Sequence, residues 1–287
     1  MRLHSHTLYP TVVRVPSSRG GFTLIEILAA MGILVLIILL LSRMFAESTR
    51  IWSAGTARVY QAQEGRVVMD FMVKEVSQAI GDDVVSFKIH SASGTDNFSV
   101  PAYGLESDSI CFVGPTRTPP FSNMLRACPH AVYFVDNMLD ENDEVIPNRF
   151  RLARVRKTGS VHSSDENLQN SAYGRPDWWR RTLWSYELSR PNRIETVAEN
   201  IAGFEVWAYS EDTGAYVFDY DSTTQDNKLP LWVDIYLEML DEKAAIQLAD
   251  IMAGSPTLSA EAADFMDRNM RRYTARIHFR NREGYSR

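Results

Sequence analysis

Cysteine is nearly absent: Cys111 and Cys128 are the only two in 287 residues. That excludes a disulfide-stapled scaffold. With no CxxC and no neighbouring cluster of histidines, it also excludes a recognisable zinc or redox motif. The two thiols either pair, if this part of the chain sits in an oxidising compartment, or stay separate, because spacing alone does not establish proximity. Acidic residues are missing before Glu26, and proline is missing between Pro16 and Pro101. The histidines are scattered, and there is no HExxH, GxSxG or phosphate-cradling glycine loop. No catalytic constellation emerges, so an enzyme is not expected. A net charge of −6 supplies no basic face, which argues against nucleic acid as a partner. With 45% hydrophobic and 23% charged residues, the chain is too apolar for global disorder and long enough to bury a core.

What is present begins at Gly20-Gly21-Phe22-Thr23-Leu24-Ile25-Glu26 and continues as the apolar run Ile27–Leu41. Before it, residues 1–19 carry Arg2, Arg14 and Arg19 without an acid, the pattern of a segment left on the cytoplasmic side. Phe22 to Leu41 is long enough, at roughly 30 Å as a helix, to cross a bilayer core. A secretory signal peptide would need small residues after the run, and Ser42-Arg43-Met44-Phe45-Ala46 fits that poorly. A plain one-pass anchor would leave Glu26 unexplained, since a carboxylate in a membrane helix costs about 2.5–3.5 kcal/mol on insertion scales.

The helix is expected to continue beyond the membrane, to about residue 80. Phe45, Trp52 and Val59 recur every seven residues; Met69, Met72, Val76 and Ile80 recur at three and four. Gly81-Asp82-Asp83 ends the pattern. Gly55 and Gly65 weaken the helix and are read as permitting a bend or the close approach of another subunit. The pattern then turns to strands, predicted at Val84–His90, Ser109–Val113, Ala131–Val135, Arg149–Arg156, Leu183–Leu188, Gly203–Tyr209, Ala215–Tyr220, Leu231–Leu240 and Tyr273–Phe279. Phe204, Val206 and Ala208 alternate with Glu205, Trp207 and Tyr209, while the alternation of Arg149–Arg156 slips near Ala153. Long polar connections are expected at 91–108, 114–130, 136–148 and 157–182. Two late helices are expected at Asp241–Met252 and Ser259–Met270, the second with Glu261 in its first turn. The resulting fold class is α+β, a long N-terminal helix followed by an antiparallel β-rich head.

The glycine, Phe22, Glu26 and the apolar run, in this register, resemble the N-terminus of type IV prepilins and pseudopilins. The resemblance implies that prepilin peptidase cuts between Gly21 and Phe22, that Phe22 is N-methylated, and that Glu26 neutralises a neighbouring subunit's N-terminal amine during assembly. Arg66–Ala79 looks like the helix end of the J-type minor pseudopilin of type II secretion. Leu229–Glu242 is similar to the late strand of such heads. The same stretch, with the following helices and Tyr273–Phe279, looks still more like the prepilin-type cassette proteins of Verrucomicrobia. Arg43 stands where major pilins carry a helix-kinking proline, and no C-terminal cysteine pair frames a loop, which points to a minor subunit.

The implied organisation is a leader at 1–21, a transmembrane helix at 22–41, its amphipathic continuation at 42–83 and a head at 84–287. The head would lie outside the inner membrane, with the N-terminus cytoplasmic. Implied partners are the peptidase, other pilins or pseudopilins, the inner-membrane assembly platform and secreted proteins. An anchored adhesin or ligand-binding module that borrows pilin export is the alternative. No cofactor is expected, calcium at Asp219, Asp221 and Asp226 being the one metal candidate, although the spacing matches no established loop. Asp140-Glu141-Asn142-Asp143-Glu144 reads as a solvated turn. Trp178, Trp179 and Trp184, mixed with Arg175, Arg180 and Arg181, suit domain packing, a subunit interface or base stacking.

Overall fold

In a computed structural model of the chain, residues 22–81, 86–92, 99–103, 105–114, 130–157, 194–253 and 258–280 are described. The long predicted helix forms as α1, Leu24–Val76. The chain divides into two units, Met1–Ala54 and Gly55–Arg287, and α1 supplies residues to both.

In the first unit α1 is a single helix whose described side chains contribute nothing to a core: Phe22 through Trp52 are all exposed. Its most apolar window has a mean hydropathy of 3.0 and none of it is buried, so it is long and apolar enough to cross a membrane. From Gly55 onward α1 belongs to the head, and its character changes as the three–four spacing predicts. Val68, Met69, Met72 and Val76 enter the hydrophobic core, and turns carry the chain on to Ile80, which bridges to Val113.

The head's strands form two antiparallel sheets among the described residues. The larger has the order β5-β4-β3-β2-β1-β8, built from β1 (Lys88–His90), β2 (Ser109–Val113), β3 (His130–Leu139), β4 (Val145–Lys157), β5 (Ile194–Glu199) and β8 (Tyr220–Asp221). The smaller has the order β10-β9-β6-β7, built from β6 (Ile201–Ser210), β7 (Ala215–Val217), β9 (Trp232–Met239) and β10 (Arg271–Ile277). One core joins them: Ile110, Phe112 and Tyr133 from the first sheet, Phe204, Val206 and Ile235 from the second, and the Met69–Val76 face of α1. Two short helices, α2 (Glu242–Ile251) and α3 (Ala260–Asn269), bury Ala244, Ala245 and Leu248, and Ala262 and Met266, respectively. Each begins as its sequence predicts, with Asp241 accepting from the Ala244 amide at 2.9 Å and Ser259 from the Ala262 amide at 3.1 Å.

Several extents differ from expectation. Residues 136–148, expected as a connection, are mostly strand. β3 and β4 form a hairpin whose turn is Asp140–Glu144, where Asp140 Oδ1 accepts from the Asn142 and Glu144 amides at 2.8 Å. Pro147 and the positive-φ Asn148 hid the start of β4, because they sit where the pairing of β3 and β4 shifts register. β5 has no clean alternation and was not predicted. The slip near Ala153 is its counterpart: Leu152 pairs with Ala198 but Ala153 with Thr196, leaving Val197 as the extra residue of a bulge. The predicted strand Ala215–Tyr220 breaks into β7 and β8, which join different sheets. The predicted strand Leu183–Leu188, and residues 84–85 of Val84–His90, lie outside the described residues.

Candidate functional site

The first turn of α1 explains part of what Glu26 does. Glu26 lies three residues after Thr23, and its Oε2 accepts both the Thr23 backbone amide and the Thr23 hydroxyl, each at 2.9 Å. Helix N-termini leave amides without intrahelical partners. A glutamate three residues into the helix reaching back to the capping residue is one half of a capping box. Its charge also suits the positive end of the helix dipole. The carboxylate therefore has an intramolecular partner, beyond the neighbouring subunit's amine that the resemblance implies. The Thr23-x-x-Glu26 spacing was the available signal. Phe22, just ahead, is 84% exposed. Gly21 lies outside the described residues.

Further along α1, Phe45, Trp52 and Val59 are 72%, 77% and 55% exposed. These three residues, recurring every seven, are all exposed. The two glycines differ sharply. A Cβ on Gly55 would meet nothing within 4 Å, whereas one on Gly65 would fall 2.4 Å from the Tyr273 ring of β10. Tyr273 donates its hydroxyl to the Gln61 carbonyl at 3.0 Å, and Gln61 Nε2 donates to the Met239 carbonyl at 2.9 Å. Gly65 is thus a close approach of the head to its own helix.

The last turn of α1 is fixed by a charged network. Arg154 on β4 donates to Glu75 Oε1 at 2.6 Å and also pairs with Glu195. The Tyr133 hydroxyl donates to the other Glu75 oxygen. The guanidinium lies over the Phe71 ring, 4.7 Å from its centroid. Burial, and then the Glu75 charge, push the Tyr133 hydroxyl well above the usual phenol range. Burial alone would lower Arg154, but Tyr133, Glu195 and Glu75 outweigh it and raise it.

The outward face of the smaller sheet is unusually aromatic. Trp207, Tyr209, Trp232 and Tyr236 stand on it, joined by Tyr216 and Phe218. Tyr209 stacks on Trp232 with ring centroids 4.1 Å apart, and Arg276 lies over the same indole at 4.8 Å. Arg276 clamps Asp234 through Nε at 2.8 Å and Nη2 at 2.9 Å, and Arg272 binds Glu238 through Nε at 2.7 Å. Burial pulls the Asp234 carboxyl up, but its bonds from Arg276 and Tyr216 outweigh this and hold it below the usual range. The period-two placement of Trp207 and Tyr209 was visible in the sequence; their meeting with β7 and β9 was not.

The structure does not gather Asp219, Asp221 and Asp226. Asp221 pairs with Lys88 and caps the short 3-10 turn Ser222–Thr224. Asp226 reaches toward Lys228 at 3.8 Å, and Asp219 is exposed. Among the described residues no group of three or more His, Cys, Asp or Glu is placed to hold a metal ion. Cys111 is buried on β2, while Cys128 lies outside the described residues, and their pairing with it. Trp178, Trp179 and Trp184 also lie outside them.

Residues 16–42 match the model of the prokaryotic N-terminal methylation motif. The chain therefore carries the N-terminus of a type IV prepilin-like precursor. That motif implies processing by prepilin peptidase and assembly with other pilins. Together with one long apolar helix it is consistent with a single-pass membrane anchor. No curated protein and no solved structure matches the chain.

Proposed function

We propose that the protein is a minor pseudopilin or minor pilin, a subunit that acts by assembly and not by catalysis. It inserts with its N-terminus in the cytoplasm, is cut after Gly21, is methylated on Phe22, and joins a type II secretion-like or type IV pilus-like filament. The head lies outside the inner membrane, at the filament's tip or surface. One observation carries this reading. The methylation motif at 16–42 coincides with a helix whose side chains are exposed from Phe22 through Trp52. An apolar surface of that kind needs lipid or sister helices to cover it. The exposed stripe of Phe45, Trp52 and Val59 extends the same demand past the apolar run.

The mass of the mature protein tests the reading. N-methylated Phe22 is expected at its N-terminus, and Gly21→Asp is expected to leave the precursor at full length. A mature N-terminus at any other residue refutes the assignment. Glu26→Val is expected to preserve membrane insertion and lower filament incorporation several-fold. Normal incorporation of that variant would exclude Glu26 as an assembly contact.

A further inference from the structure

A sheet edge is an open template for another strand, and folds blunt their edges by shortness, by bulges, by proline or by charge. The described sheets end at β5 and β8 on one side and at β10 and β7 on the other. β7 is three residues long and β8 two. β5 is interrupted by its bulge at Val197. β10 is different. It runs for seven residues, Arg271–Ile277, without a proline, and pairs with β9 from Met239 to Val233 with no shift in register. No backbone group of residues 271–277 bonds to a described residue outside that ladder. Strand residues alternate in the edge they address. Roughly half of the N–H and C=O groups of β10 therefore point away from β9, along about 24 Å of regular strand.

Charge does not blunt this edge either. Arg272 and Arg276 fold back over β9 onto Glu238 and Asp234, and Arg276 lies on the Trp232 ring. Their charge is matched there, so the edge offers an incoming chain main-chain groups and no net charge. The side chains along it have two characters. Arg272, Thr274 and Arg276 stand on the outward face, opposite Glu238, Tyr236 and Asp234, whereas Tyr273 and Ala275 turn toward the core and are only partly buried. A strand laid beside β10 would place apolar residues inward and polar ones outward. An extended backbone satisfies a row of edge amides, which a helix cannot do. A second copy of β10 fits less well. Antiparallel pairing about Thr274 would crowd Arg272 of each copy against Arg276 of the other, and like charges directly opposite are poor cross-strand neighbours.

We propose that the outer edge of β10 accepts an extended, antiparallel strand of alternating polar and apolar residues from a neighbouring pilin-like subunit. The source of the strand rests on the assembly reading above; strand addition itself does not. The test titrates the full chain in detergent micelles with a labelled, end-blocked heptapeptide of alternating threonine and valine, read by fluorescence polarisation. Two further forms carry N-methyl groups on the threonines or on the valines. An added strand uses one set of its amides against β10. One form is therefore expected to lose at least tenfold in affinity and the other to bind within about threefold of the parent. No binding at millimolar peptide, equal binding of the two forms, or equal loss in both overturns strand addition. Hydrogen exchange locates the site: the amides of residues 271–277 are expected to slow at least tenfold with saturating peptide, and no slowing overturns the proposal. The same amides are expected to slow in filaments isolated from cells. Slowing with peptide but not in filaments overturns the neighbouring subunit as the occupant. Slowing on self-association of the chain alone reassigns the edge to a second copy. If the chain enters no filament, the assembly reading fails and takes the neighbouring subunit with it, while the peptide arm still decides strand addition.

Discussion

Glu75→Ala should be the most damaging single change in the head's charged network. Glu75 ends α1, yet its partners Tyr133 and Arg154 lie on β3 and β4, so one side chain ties a helix to two strands. The substitution removes a charge-assisted bond worth about 1.5–3 kcal/mol and leaves the Tyr133 hydroxyl without its acceptor, a further ~1–3 kcal/mol. Two effects work the other way. Arg154 keeps Glu195, so it is not left as a lone buried charge, the situation that costs about 3–5 kcal/mol. Alanine also improves helix propensity by less than about 0.7 kcal/mol. A net loss of about 3 kcal/mol is expected from these terms. Chemical denaturation of the full chain in detergent, followed by circular dichroism, measures it. Tyr133→Phe serves as the second arm of a double-mutant cycle, since the phenol and the carboxylate stabilise each other. After Tyr133→Phe, Glu75→Ala should cost at least ~1 kcal/mol less than it does alone. A loss under ~1 kcal/mol for Glu75→Ala, or strict additivity of the two changes, refutes the network as a stabilising unit.

Gly65→Ala is expected to destabilise the head by about 1–2 kcal/mol in the same assay, because the new methyl displaces the Tyr273 ring and its bond to Gln61. Gly55→Ala, facing open space, should instead stabilise α1 by up to ~1 kcal/mol; equal effects at the two glycines would contradict the packing described. Asp108 accepts from the Val206 and Ala92 amides at 2.8 and 3.0 Å, yet burial pushes its carboxyl up to about 6 from 3.8. Its folded pKa is the higher one, so its contribution is fully present below about pH 4 and is lost as pH rises through 6, by roughly 2–3 kcal/mol in all. Unfolding free energies of the wild type minus those of Asp108→Asn should therefore fall between pH 4 and pH 6.5, and a flat difference would contradict it.

Periodicity made the architecture legible wherever one face of an element is buried. The three–four spacing of Met69, Met72 and Val76 located the packed part of α1, and the alternation of Phe204, Val206 and Ala208 located the inner face of β6, because burial imposes those periods. The failures have local causes. β5 pairs through a bulge at Val197 and shows no period to read. Pro147 and Asn148 resemble a loop in sequence because a shifted register and a bulge use the same residues a loop does. Gly65 was legible as a bend or a close approach of another subunit, but what approaches it is the chain's own Tyr273, over two hundred residues away, and no local pattern encodes that pairing. The aromatic face is similar. Trp207 and Tyr209 announce an outward stripe, whereas its completion by Tyr216, Trp232 and Arg276 depends on strand order alone.

The capping geometry of Glu26 alters the argument for its role without removing it. An acid in lipid needs compensation, and the first turn of α1 supplies some of it locally, since both Thr23 donors converge on Oε2. The cost of holding a carboxylate there is thus lower than for one lacking a partner, so the residue need not wait for a neighbour before the helix is tolerable in a membrane. Convergence on a single oxygen has a second consequence. Oε1 receives no bond from the described residues, so in the assembly proposed above an incoming amine can pair with it while the Thr23 cap stays closed. The same carboxylate can then serve helix initiation in the single subunit and charge pairing between subunits, because the two tasks use different oxygens.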